Sequence, residues 1–227
     1  MITPLKPQKF NELIPSMPTS DQYQYYWGSS QDAFRRVLIS VALLIVFSLL
    51  YSRTPDTNWG PIMFICAGLG GLYWMMAPVA IAGIRNSKLR KYSFCGFWQA
   101  RVLDIYVSEE VLSQQESFSD RGRLEIVHNT ETFLNLEVGD RSGFTTTVRV
   151  PMRREYKRIK RKQMACMLLF ANDPSFNRIA KTTTDIFLPQ VNVWVSEYPY
   201  LRRDAFIDLT KYLINRQTPA SPTARRR

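Results

Sequence analysis

VLISVALLIVFSLLYS, Val37 to Ser52, contains no charged residue, and its reading decides the class of the chain. A helix that crosses a bilayer needs about 20 residues. Ser29, Ser30 and Asp32 supply N-cap chemistry just upstream, so this helix is expected to start near Gln31, to carry Arg35 and Arg36 at the interface, and to span. A second uncharged run, WGPIMFICAGLGGLYWMMAPVAIAGI from Trp59 to Ile84, exceeds the same length and predicts a second crossing, with a kink at Pro78. Ala67 and Gly71 form a small-xxx-small pair expected to pack the two helices closely. The GLGG tetrad lies inside an apolar helix and follows no strand, so it is not a phosphate loop. The two runs predict a transmembrane helical hairpin over residues 31–84.

Flanking charge sets the direction of that hairpin. Arg35 and Arg36 precede the first run, Arg85, Lys88, Arg90 and Lys91 follow the second, and the linker holds Arg53 against Asp56. By the positive-inside rule both termini are expected on the cytoplasmic side, with Tyr51 and Trp59 as aromatic anchors at the opposite interface. Polar and aromatic residues fill 1–30 before the first run, and a second run follows, so the first is expected to be an anchor and not a cleaved leader.

Composition alone would hide this organisation. With 227 residues, 45% hydrophobic and 22% charged, the average resembles a soluble globular protein, but the apolar residues are concentrated early. Low glycine, 13% aromatics and no sustained heptad exclude collagen-like, disordered and coiled-coil classes. Cys66, Cys95 and Cys166 are odd in number and widely spaced, which fits a reducing compartment and no disulfide or zinc framework. From Arg85 onward there are 25 basic and 15 acidic residues, so +10 of the chain's +11 belongs to the polar C-terminal part.

That part alternates in FWQARVLDIYV (Phe97–Val107), RLEIV (Arg123–Val127), TFLNLEV (Thr132–Val138) and GFTTTVRV (Gly143–Val150), with turn signals at SDRG, HNTE and GDRSG. This predicts an antiparallel meander of four strands. PMRREYKRIKRKQMACMLLF then predicts an amphipathic helix, apolar at Ile159, Gln163, Cys166, Met167 and Phe170 and basic at Arg154, Lys157, Arg158, Arg161 and Lys162. Strands are expected at DIFL and NVWV, and a closing helix from about Arg202 to Arg216 with Phe206, Leu209, Tyr212 and Leu213 inward. The expected fold is thus membrane-anchored α+β: a two-helix hairpin plus a small antiparallel sheet with packing helices. Its expected parts are an N-terminal segment (1–30), the hairpin (31–84), the α+β domain (85–216) and a disordered basic tail (217–227).

No catalytic constellation emerges. His128, the chain's one histidine, is read as a surface turn residue beside Asn129. Glu109 with Glu110, and Asp104 with Glu137, read as solvated strand carboxylates, and no cluster has metal-ligand spacing. The chain is therefore expected to be no enzyme and to hold no cofactor or metal. Runs without an ionisable residue also offer no polar pathway for transport. The basic stretch Arg153 to Lys162 is expected to meet anionic lipid or an acidic protein, and not nucleic acid. Aromatic residues give sharper candidates for a partner surface. Tyr23, Tyr25, Tyr26 and Trp27 in YQYYWG, with Trp194, Tyr198, Tyr200, Arg202 and Arg203 in WVSEYPYLRR, are residue types that dominate interface hot spots, and the hairpin would place both segments on one side, as one patch.

YQYYWG before the first run, RKYSFCGFWQARVLDIYVSEE after the second, LNLEVGDRSGF in the meander and WVSEYPYLRRD near the end together resemble a group of two-span proteins of cyanobacteria and chloroplasts. Some members carry the automatic label of phosphate ABC transporter permease, which sits badly with a chain lacking the five or six spans and the coupling loop of such permeases. The resemblance implies a thylakoid membrane protein with its large domain on the stromal or cytoplasmic side, binding photosystem subunits or assembly intermediates, photosystem II in particular. An accessory subunit of a membrane transporter is the alternative. No Arg/Ser-rich transit stretch precedes Lys6, so a cyanobacterial chain is expected instead of a plastid precursor.

Overall fold

The computed structural model describes residues 2–53, 58–118 and 124–217, without the side chains of 112–118, 124–129 and 217. In chain order the elements are β1 (Ile2–Pro4), α1 (Pro7–Leu13), α2 (Ser20–Trp27), α3 (Ser30–Arg53), α4 (Gly60–Gly71), α5 (Tyr73–Leu89), β2 (Phe94–Phe118), β3 (Leu124–Gly139), β4 (Thr145–Pro151), a 3₁₀ turn (Arg154–Arg158), β5 (Met164–Ala171), β6 (Ile179–Thr182), β7 (Ile186–Leu188), β8 (Val193–Val195) and α6 (Arg203–Gln217). They divide into two units, a helical one of Ile14–Lys91 and a sheet one of Met1–Leu13 with Tyr92–Arg227. The expected N-terminal segment 1–30 is therefore shared between the two. The expected tail lies outside the described residues, apart from the end of α6.

In the helical unit, α3 is, among the described residues, the one helix long and apolar enough by itself to cross a membrane, with a mean hydropathy of 2.2 and only 6% of its apolar window buried. The expected two-span hairpin is not what forms. The second apolar run is broken at Leu72 into α4 and α5, whose axes differ by 80°. At 1.5 Å per residue the 12 residues of α4 reach about 18 Å, well short of a hydrocarbon core of about 30 Å. The bend lies at the glycines, and Pro78 sits inside α5. Gly70 and Gly71 form the last turn of α4, where a Cβ would fall 2.8 Å from Leu43 and from Leu44 of α3 respectively, so α4 approaches α3 as only glycine allows. Starting a new helix leaves amides unpaired at its first turn. The buried Ser40 of α3 takes one of them: its Oγ accepts from the Trp74 N–H at 2.8 Å.

The sheet unit is larger than expected: eight antiparallel strands, with β4-β3-β2-β5-β7-β8 in order, β1 beside β2 and β6 beside β5. β2 runs for 25 residues, so that Phe94–Arg101 pairs with β5 while Arg101–Phe118 pairs with β3. One face curls around a core in which Val148 and Val150 of β4 join Trp98, Leu136, Met167, Leu169, and Val193 and Val195 of β8. The other face is covered by helices: Phe206 of α6 packs on Phe97, Phe187 and Trp194, and Phe10 of α1 on Phe170.

Three further expectations are corrected. The basic amphipathic helix is a 3₁₀ turn followed by β5, because MACMLLFA is buried on both faces of the sheet and so shows no alternation. HNTE is no turn: His128 pairs opposite Gln114 within the long β2–β3 ladder, which joins two of the expected strands into one. Tyr212 faces outward, 60% exposed, while Phe206, Leu209 and Leu213 line the buried side of α6.

Candidate functional site

The surface of the helical unit is apolar along α3 and α4, where Phe64 is 66% and Leu69 64% exposed, and Leu49 61%. Its buried residues are mostly polar or small, with Ile14 and Leu89 as the large apolar ones. Gln22 and Asn86, both fully buried, bond reciprocally, Asn86 Nδ2 donating to Gln22 Oε1 at 2.8 Å and Gln22 Nε2 to Asn86 Oδ1 at 3.2 Å, and Asn86 also donates to the Pro15 carbonyl. This pins α2 to α5. Ala67 is buried, and a Cβ on Gly71 would fall 2.8 Å from Leu44, so the small-residue pair lies where α4 meets α3.

YQYYWG forms most of α2, started by a capping box in which Thr19 and Gln22 exchange hydrogen bonds. Its aromatic residues are largely occupied inside the unit. Trp27 packs edge-on against Trp74 (5.9 Å) and beside Tyr23 (5.5 Å), and Arg36 lies over Trp27. Arg36 also donates to the Tyr26 carbonyl at 2.9 Å and to that of Trp27, capping the end of α2, and Arg85 donates to the Tyr26 hydroxyl at 3.2 Å. Of the four candidates only Tyr25 is exposed, at 45%, with its ring edge-on to Tyr26 at 5.3 Å.

The second aromatic segment belongs to the sheet unit and is mostly core. Tyr198 is fully buried and packs on Tyr200 at 4.6 Å; Trp194 stacks on Phe187 at 4.8 Å with Arg203 over its ring. Arg202 is exposed and paired with Asp204 at 3.0 Å. Beneath this segment lies Asp185, a buried carboxylate that accepts from Leu201 N–H (2.8 Å) and from the Ser196 hydroxyl. Burial pushes its pKa up to about 7, against the opposing pull of those donors and of Arg203. Asp185, Ser40 and the Gln22–Asn86 pair carry no motif that singles them out in the sequence; a polar residue within an apolar stretch, as Ser40 is, is the one available signal.

The basic segment is exposed throughout at Arg154, Lys157, Arg158, Arg161 and Lys162, while Tyr156 and Ile159 between them enter the core. Arg161 pairs with Asp104, whose carboxyl is held below its ordinary range by the Ile105 N–H and by Arg161. Burial pushes the thiols of Cys95 and Cys166 up to about 12, which makes both packing residues at neutral pH. Among the described residues no group of three His, Cys, Asp or Glu side chains could hold a metal ion.

An apolar-surfaced helical unit with a polar interior, on a chain whose other unit is an antiparallel sheet with an ordinary core, defines a class: a two-unit protein with one helix suited to a membrane. The chain belongs to a family of unknown function, DUF8619, whose model matches residues 3–217. No curated protein and no solved structure matches it.

Proposed function

We propose that this protein is a non-catalytic binding protein of the thylakoid membrane that assists photosystem assembly, photosystem II in particular, by holding integral-membrane subunits or intermediates. The observation that carries the binding role is the uncovered apolar surface of α3 and α4, with side chains such as Leu49, Phe64 and Leu69 mostly exposed. An apolar surface of this extent needs lipid or an apolar partner. The thylakoid and the photosystem come from the resemblance of the quoted segments. A common side for both termini is supported by β1, which pairs with β2, Thr3 opposite Phe97, so that residues 2–4 and 96–98 belong to one sheet.

Affinity purification of the tagged chain from detergent-solubilised thylakoids tests the role. Photosystem subunits are expected to co-migrate with it, and a purification that brings down none of them ends the proposal. Labelling of Glu12→Cys and Lys211→Cys by an impermeant thiol reagent tests the sidedness: both are expected to react from the same face of sealed membranes.

A further inference from the structure

A cavity of about 810 Å³ opens in the sheet unit at the point where the regular β2–β3 ladder fails. Leu103 is the extra residue of a bulge between the Val102–Val138 and Asp104–Glu137 pairs, and across from it Gly139 has no room for a Cβ, which would lie 2.6 Å from Leu103 Cδ1. Lys162, at the mouth of the same cavity, is held at φ 70°, a left-handed conformation rare for a side chain of its kind, by its N–H bond to the Val102 carbonyl. Bulges and left-handed non-glycine residues gather where a surface has been shaped for a ligand.

The charges around this opening are not used internally. Arg101, Arg141 and Lys162 line it, and among the described residues none of their side chains has an ion pair or hydrogen bond. Asp140, the one carboxylate in the lining, is already engaged: it accepts from the Trp98 indole N–H at 2.9 Å and from the Ser142 N–H at 2.9 Å. Burial alone would raise its pKa, but the hydrogen bonds it accepts, those from Ser142 and Trp98 among them, outweigh that and hold it well below the ordinary carboxylate range. Gln190 accepts from the Met164 N–H through Oε1, which fixes its amide and leaves the –NH₂ as a further donor. Leu103 and Met164 supply apolar wall.

We infer that this cavity binds a phosphate monoester, its dianion met by Arg101, Arg141 and Lys162 and its organic part lying against Leu103 and Met164. Three cations face one engaged carboxylate in the lining, so the opening is net positive, which suits a dianion. Arg presents a planar fork of donors that matches phosphate oxygens, and Lys adds a point charge. The monoester could be a soluble metabolite or the headgroup of a lipid; the cavity chemistry is the same for both.

The test uses the full chain in neutral detergent and two probes with the same headgroup, glycerol 3-phosphate followed by titration calorimetry and phosphatidic acid followed by retention in native mass spectrometry. Glycerol and phosphatidylcholine are the controls. Binding of glycerol 3-phosphate alone assigns a soluble ligand, of phosphatidic acid alone a lipid headgroup, and of both a site that reads the phosphate itself. Arg101→Gln is expected to weaken binding about tenfold, the loss of one charge-assisted contact. Lys162→Gly is expected to weaken it similarly while leaving the melting temperature unchanged or higher, because glycine relieves the left-handed backbone, so weaker binding there cannot come from unfolding. Binding of neither probe, or binding that both variants leave within twofold of the parent, overturns the inference. No assembly partner enters this experiment, so it stands or falls apart from the proposed function.

Discussion

The two units of this chain use the same residue types in opposite ways. In the sheet unit the largest apolar side chains go inside, with Trp98, Phe97, Phe170 and Phe206 all essentially without exposure. In the helical unit the buried residues are mostly small or polar, among them Ala67, Ala77, Ala82, Gln22, Ser40 and Asn86, while Phe64, Leu49 and Leu69 point out. The sheet unit is thus built for water, where apolar burial drives folding. The helical unit is built for apolar surroundings, where close approach and hydrogen bonds hold helices together because burial no longer distinguishes inside from outside.

The sharpest way to break this contrast is to truncate one large aromatic residue in each unit. Trp98→Ala removes a fully buried indole and its bond to Asp140, and is expected to cost about 3–5 kcal/mol. Phe64→Ala removes a ring that is 66% exposed and tilted against Tyr51 at 5.8 Å, and is expected to cost no more than about 1.5 kcal/mol. Thermal unfolding in detergent measures both. Equal losses would mean that the helical unit has a conventional core after all.

Asp185 makes the sheet unit sensitive to pH in a definite direction. Its pKa is raised from 3.8 to about 7 on folding, so between these values the folded chain keeps a proton that the unfolded chain has released. Stability from this group is complete below 3.8 and is lost as pH rises through about 7, at up to about 1.4 kcal/mol per pH unit for one proton. Asp185→Asn cannot release the proton and is expected to flatten the decline across that window. A parent chain whose midpoint in urea does not fall between pH 4 and pH 7 relative to the variant would show that the donors around Asp185, and not its burial, set its charge.

The same contrast explains which features the sequence discloses. The long apolar runs announce the helical unit because their length needs no partner to be read. The break at Leu72 stays hidden, since it depends on Leu43, Leu44 and Ser40, residues distant in sequence that only the packed helices bring to Gly70, Gly71 and Trp74. In the sheet unit, β7, β8 and α6 are legible from local pattern. β5 is not: with both faces covered it loses the alternation that marks a strand, and the basic residues before it complete a false helical period. β1 carries no local signal, because its pairing partner lies at Gly96–Trp98. The capping box of Thr19 and Gln22 was readable in principle and would have placed the aromatic segment on a helix. Residue type alone marks the aromatic candidates, and type does not separate a hot spot from the packing that Trp27 and Tyr198 display.

The polar pins of the helical unit offer a finer test of the claim that hydrogen bonds hold it. Leaving a buried polar group unpaired costs about 1–3 kcal/mol. Asn86→Leu deprives both Gln22 and the Pro15 carbonyl of a partner, so its effect should exceed that of Ser40→Ala, which deprives only the Trp74 N–H. Proteolysis in detergent should accelerate within 14–91 for the first, and the second should shift Trp emission, since Trp74 lies against Trp27. If Asn86→Leu protects the unit instead, its interior prefers apolar filling and the contrast with the sheet unit loses its basis.

The smallest effect on stability is expected from the basic segment, and there the absence of one is informative. Arg154, Lys157 and Arg158 are exposed while Tyr156 between them is buried, so changing all three to Glu reverses charge without touching the core. Surface substitutions of this kind usually stay within about 0.5 kcal/mol. If these residues meet an anionic surface, the full chain held in neutral-lipid nanodiscs should capture phosphatidylglycerol vesicles at low salt. That capture should fade as the screening length contracts from about 10 Å at 0.1 M to about 3 Å at 1 M salt. The triple reversal should abolish it with the melting temperature unchanged. Capture that survives both the salt and the reversal would assign the contact to the apolar surface of α3 and α4, and the basic segment would then be a solvated loop whose charge serves the solubility of the sheet unit.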